Sequence, residues 1–195
     1  MSICIVIALV IGVFAGMFVP SEHKEVINSL SSVILYILIF YVGIDLGLNK
    51  DIFPKIKSMG VKVLLVPLGE IIGSFIGGAL LSFFVSETMK ESLSVTMGMG
   101  WYSFSGILIS EAGNPALGAL AFLSNVFREV LAFITIPFAA KHLNYYCAVA
   151  TAGATSMDTT LGVISRNTNG KTAVVSFISG MVITMLVPVI VPIFV

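Results

Sequence analysis

Residues 116–140 read ALGALAFLSNVFREVLAFITIPFAA, a run of about 25 residues that is apolar except at its centre, NVFREVL at 125–131. A helix of roughly 20 apolar residues crosses a hydrocarbon core of about 30 Å, so this stretch is long enough to span a bilayer. Its centre then puts Arg128 and Glu129 at membrane depth. A charged side chain there costs at least ~2.5–3.5 kcal/mol, which makes intramembrane ionisable residues functional candidates. Adjacent residues project about 100° apart on a helix and do not pair as i,i+4 neighbours do. Each therefore needs its main partner on another helix.

The rest of the chain has the same character. Of its 195 residues 57% are hydrophobic and only 10% charged, and the mean hydropathy is +1.08. A soluble domain carries roughly 25% charged residues, so this chain lacks the polar surface to cover a globule in water. The composition reads as an all-α polytopic membrane bundle embedded in a lipid bilayer. Apolar spans are expected near 3–19, 26–46, 61–85, 93–111, 116–140, 145–164 and 172–195, about seven, in a single membrane domain over 1–195. The start, MSICIVIALVIGVFAGMF, lacks a basic n-region and reads as a retained first helix.

Several function classes find no support. Net charge is zero and the basic residues are dispersed, which argues against a nucleic-acid partner. Cys4 and Cys147 lie in apolar segments without a CxxC or Cys/His pattern, and His23 and His142 fall at expected helix ends, so neither a metal nor another cofactor is expected. No HExxH or GxGD pattern and no nucleophile motif occur, so the chain does not read as an enzyme.

Orientation follows from lysine. The loop LNKDIFPKIKSMGVK carries Lys50, Lys55, Lys57 and Lys62, and lysine-rich short loops stay cytoplasmic. Counting spans from it sets the N-terminus inside, SETMKES outside, EAGNP and SRNTNGK inside, and the C-terminus outside. Lys141 and His142, which this count puts outside, fit poorly.

Two of the spans are unusual. SVTMGMGWYSFSG opens the span at 93–111, and ATAGATSMDTT occupies 150–160 of another. They superpose at an offset of 53: Gly100 on Gly153, Ser103 on Ser156, Asn114 on Asn167. Polar glycine-rich backbone at membrane depth is tolerated only inside protein or facing water. Transporters use such broken helices to hold a solute at the midplane, although close helix packing also selects Gly, Ser and Thr.

The candidate site residues are the groups at depth: Glu70, Glu111, Arg128, Glu129 and Asp158, with Asp45 nearer a helix end. Glu70 lies about nine residues, or ~14 Å, into its span. The face of Glu129 continues through Asn125, Ala121 and Gly118, and through Ala132 ahead. Arg128 is expected to neutralise Glu111, Asp158 or Glu70. A titrating Glu129 would suit proton coupling, since burial raises carboxyl pKa values; a structural ion-pair network is the alternative. Asp158, with Ser156, Thr159 and Thr160, could bind a cation or brace a helix break. Trp101, Ser103 and Ser105 are candidate lining residues.

The stretches GWYSFSGILISEAGNPALGALAFLSNVFREVLA at 100–132 and GATSMDTTLGVI at 153–164 resemble the bacterial lysine exporter (LysO) family. The resemblance runs through essentially the whole chain and corresponds to the C-terminal two-thirds of full-length members. It implies a secondary active exporter of L-lysine, and of toxic analogues such as thialysine, in exchange for protons. The implied location is the bacterial inner membrane. The resemblance also implies essential acidic residues, matched here by Glu129, Glu111 and Asp158. Further helices would come from a small companion membrane protein, or the chain could act as a homo-oligomer. Ten helices in total would suit a five-plus-five inverted repeat. A cation channel or other ion-flux protein is the rival reading.

Overall fold

The structure is a computed structural model that describes residues 7, 11–12, 14–20, 23–48 and 52–195. Cys4, Lys50 and much of the span expected at 3–19 lie outside the described residues, as do the side chains of Asp45 and Lys55.

All regular structure among the described residues is helical. Helix α1 is Lys24–Leu48 and α2 is Ile52–Met59; a short 3₁₀ turn, Val61–Leu64, leads into α3, Leu65–Leu81. Then come α4 (Met89–Thr96), α5 (Tyr102–Glu111), α6 (Pro115–His142), α7 (Tyr145–Ala150), a 3₁₀ turn at Gly153–Met157, α8 (Leu161–Asn167) and α9 (Gly170–Ile190). Among the described residues, Val61–Leu81, Pro115–His142 and Gly170–Phe194 are long and apolar enough to cross a membrane.

The helix starts are written in the sequence. Asn114 caps α6, its Oδ1 accepting the Leu117 N–H at 3.1 Å, with Pro115 at the first helical position. Asn144 and Asn169 cap α7 and α9 in the same way, at 2.8 and 2.9 Å. Thr88 and Glu91 form a reciprocal capping box on α4.

The stretches drawn above as single spans at 93–111 and 145–164 do not run through; each folds back on itself. Helices α4 and α5 both lie against the N-terminal half of α6. Asn114, at the head of α6, donates to Glu91 at the head of α4 (3.4 Å), while Gly106 and Ser110 of α5 pack on Gly118 and Phe122. The second stretch uses the other half of α6. Ala148 and Val149 of α7 and Ile164 of α8 share one core with Ala132, Ile136 and Ala139. Asn144, where this hairpin begins, lines a cleft with Asn169 and Lys171, just after it ends. Two hairpins thus enter from opposite ends of the bundle, and each is followed by a long helix: 89–111 by α6, 145–167 by α9. The EAGNP connection therefore sits at the end that carries Glu91, and Lys141 and His142 at the end that carries Lys171.

The buried face of α6 is Leu117, Gly118, Ala121, Asn125, Glu129, Ala132, Ile136 and Ala139, a stripe at helical spacing. Against its middle lie the tips of both hairpins.

Candidate functional site at the meeting of two broken helices

The first tip is residues 97–101. Gly100 has φ +93° and Met99 φ +45°, left-handed conformations that end α4 and restart the chain as α5; for a non-glycine such as Met99 this costs of order 1–3 kcal/mol. The second tip follows α7, where Gly153 has φ +67°. The two touch backbone to backbone: the Ala154 N–H donates to the Met99 carbonyl at 2.8 Å. A Cβ on Gly153 would stand 2.2 Å from that carbonyl oxygen. The two glycines matched at an offset of 53 are thus the two points of contact.

Helix α6 supplies three polar side chains beneath the tips. Asn125 is buried and fully used, its Oδ1 accepting the Gly100 N–H at 2.7 Å and its Nδ2 donating to the carbonyls of Val95 (3.1 Å) and Ala121 (2.9 Å). It takes up backbone groups that the break in the first hairpin leaves without a helical partner. One turn on, Glu129 is 4% exposed. Arg128 lies beside the second tip, its guanidinium 3.4 Å from where a Cβ on Gly153 would stand, and donates to the Ser74 hydroxyl of α3 at 3.2 Å. Of the three acidic residues considered for it, Glu70 is the one whose charge it faces.

Tyr102, the first residue of α5, brings its hydroxyl into electrostatic range of both Glu129 and Asp158 and meets Phe122 edge-on at 5.5 Å. These three residues come from α5, α6 and the end of the second tip, near where the two hairpins meet. The sequence reading missed Tyr102; its only signal was its place directly after the break in GWYSFSG. Asp158 is exposed in the isolated chain and accepts the Thr159 N–H at 2.5 Å and the Thr159 hydroxyl at 3.4 Å.

The other candidates separate. Glu111 lies exposed at the end of α5, bonded by the Ser32 hydroxyl of α1, and lines a different cleft with Ser110 and Pro115. It is not brought to the tips. Ser105 donates to the Trp101 carbonyl at 2.9 Å. Ser156 and Ser176 exchange hydroxyl-to-carbonyl bonds of 3.0 and 2.6 Å, which pin the second tip to α9. Trp101 stacks on Phe104 at 4.7 Å, which covers one indole face; Ser103 is half-buried. No group of three or more metal-ligating side chains occurs among the described residues.

The family model described as "Lysine exporter LysO" matches residues 6–195. The chain belongs to the LysO family. A Haemophilus influenzae protein named "Putative lysine exporter" is 30% identical over 181 residues, which cover 93% of this chain and 91% of that protein. The Escherichia coli protein named "Lysine exporter LysO" is 32% identical over 160 residues, 82% of this chain but 53% of that protein. The chain thus spans about half the length of the E. coli relative and nearly all of the H. influenzae one. No solved structure matches it. Both LysO relatives are named as exporters, in keeping with an all-α membrane protein.

Proposed function

We propose that this chain is a secondary active exporter of L-lysine, and of cationic analogues such as thialysine, working by exchange with protons in a bacterial inner membrane. The observation that carries the reading is the meeting of two broken hairpins against α6, where Glu129 is buried and Asp158 ends the second tip. Lysine leaves the cell as a cation against roughly 2.3 kcal/mol per charge per 100 mV, so export requires a driving ion. A carboxylate able to hold either an ammonium or a proton couples the two by competition. Glu129, buried on α6, and Asp158, at a helix break, are the pair suited to that exchange. The Tyr102 hydroxyl can hydrogen-bond whichever carboxylate is vacated.

Charge distribution supports an orientation. Lys57, Lys62, Lys141, His142, Arg166 and Lys171 fall at the end where the second hairpin enters, whereas Glu87, Glu91 and Glu111 fall at the other with Lys90. By the positive-inside tendency, the first end is cytoplasmic. Lys141 and His142 then fit the rule that a through-running count would break. A small companion membrane protein, or a second copy of this chain, is the partner in the exchange of lysine for protons.

The test is lysine-driven proton movement in proteoliposomes holding the chain, alone and with its companion. The wild-type chain is expected to move protons when a lysine gradient is imposed, and Glu129→Gln to abolish the exchange while inserting normally. An inserted Glu129→Gln protein with wild-type exchange refutes the assignment. Lysine-independent cation flux would point to a channel.

A further inference from the structure

Between α3, α4 and α6 lies a cleft of about 370 Å³, within the range usual for small-molecule sites. Glu70 and Arg128 line it together with Ser74, Thr96 and Asn125. Glu70 is 3% exposed, and both of its carboxylate oxygens lack a hydrogen-bond partner. The Ser179 hydroxyl faces it from α9 without closing a bond. Arg128 feels the Glu70 charge but bonds only the Ser74 hydroxyl. Two opposite charges thus line one cleft without joining. A buried ion pair that held only the fold together would close, because leaving a buried carboxylate unmatched costs several kcal/mol.

The wall of α3 is equally distinctive. Gly69, Gly73 and Gly77 line the cleft at four-residue spacing, and a Cβ at any of them would meet nothing within 4 Å. The space they leave is therefore open among the described residues. What fits is a ligand that carries an ammonium and a carboxylate on one carbon. We propose that the Glu70–Arg128 cleft is a binding site for the α-ammonium and α-carboxylate of an amino acid. Glu70 accepts from the ammonium, and Arg128 holds the carboxylate with paired N–H donors, the geometry in which guanidinium recognition is strongest. This site lets a carrier of cationic amino acids reject simple polyamines, which carry no carboxylate. It rests on the lysine reading only for the choice of probe.

The experiment is calorimetric binding to the full chain in lipid nanodiscs, with L-lysine, Nα-acetyl-lysine, lysinamide and cadaverine as probes. Wild-type protein is expected to bind lysine roughly tenfold or more tightly than each of the other three, the scale of one lost charge-assisted contact. Glu70→Gln is expected to weaken lysine by about tenfold and to erase the penalty for Nα-acetylation. Gly73→Val narrows the cleft from a position whose Cβ would meet nothing within 4 Å, and is expected to weaken lysine as much, with the thermal midpoint unchanged. Wild-type affinity in both variants would overturn the proposal and leave the glycine face as a seat for another helix. Cadaverine bound as tightly as lysine would overturn it too, while export of a cation stood. Binding of another L-amino acid but not lysine, with the same acetylation penalty, would sustain this site and sink the lysine reading. No binding of any amino acid would overturn both.

Discussion

Gly153 holds a left-handed backbone with the Met99 carbonyl oxygen 2.2 Å from where its Cβ would be. No other residue type fits without parting the two hairpin tips. Gly153→Ala is expected to cost about 1–3 kcal/mol by overpacking, whereas Gly73→Ala, with nothing within 4 Å of its Cβ, is expected to cost far less. Thermal unfolding of the two purified variants checks the order; equal midpoints would show that the tips do not touch. At this scale the sequence was partly legible. The stripe from Gly118 through Asn125 and Glu129 to Ala132 could be read from spacing, and it is buried. Tyr102 could not, because its nearness to Glu129 and Asp158 is made across elements and leaves no periodic trace. Nor could spacing choose among Glu111, Asp158 and Glu70 as the charge opposite Arg128, because that choice depends on which helix packs beside α6.

The half-helices are the elements whose behaviour departs most from hydropathy. Helices α7 and α8 have six and seven residues, only ~9–10 Å each at 1.5 Å per residue, and neither can cross a bilayer. With the tip between them they occupy residues 145–167, about the length of a single span, so counting apolar residues at 145–164 could not show that the chain reverses. Capping does carry information at this scale, since the Thr88–Glu91 box marks where the first hairpin enters. Hydrogen bonds from the Thr88 side chain and backbone N–H hold the exposed Glu91 carboxyl below its ordinary value. A carboxyl lowered in the folded state stabilises it above the unfolded pKa of about 4.3, and that contribution disappears as pH falls through the folded value. Protection of the amides of residues 89–92, taken relative to the intrinsic exchange rate at each pH, is therefore expected to fall below about pH 4, and Thr88→Ala to remove that fall. Protection that stays constant across that range in the unsubstituted chain would mean that the box does not form.

For the whole molecule, the two hairpin-plus-helix units are the main finding. Residues 89–111 with α6 and residues 145–167 with α9 enter from opposite ends, carry left-handed glycines at Gly100 and Gly153, and begin their long helices with the caps Asn114 and Asn169. The offset of 53 seen in sequence holds for Gly100 and Gly153 but not at the caps, where Asn169, not Asn167, is the counterpart of Asn114. The all-α membrane character was legible from composition alone, because 10% charged residues cannot solvate a globule of this size. The direction of the chain through each unit was not, and it decides where Glu129 and Asp158 stand relative to the two aqueous sides. Two single cysteines, Ala112→Cys and Leu143→Cys, placed in the chain with Cys4 and Cys147 replaced by serine, test that arrangement in intact bacteria with a membrane-impermeant maleimide. Hairpins entering from opposite sides predict that position 112 is labelled from outside and position 143 only after the membrane is opened. Through-running spans require the reverse, and that result would contradict the account.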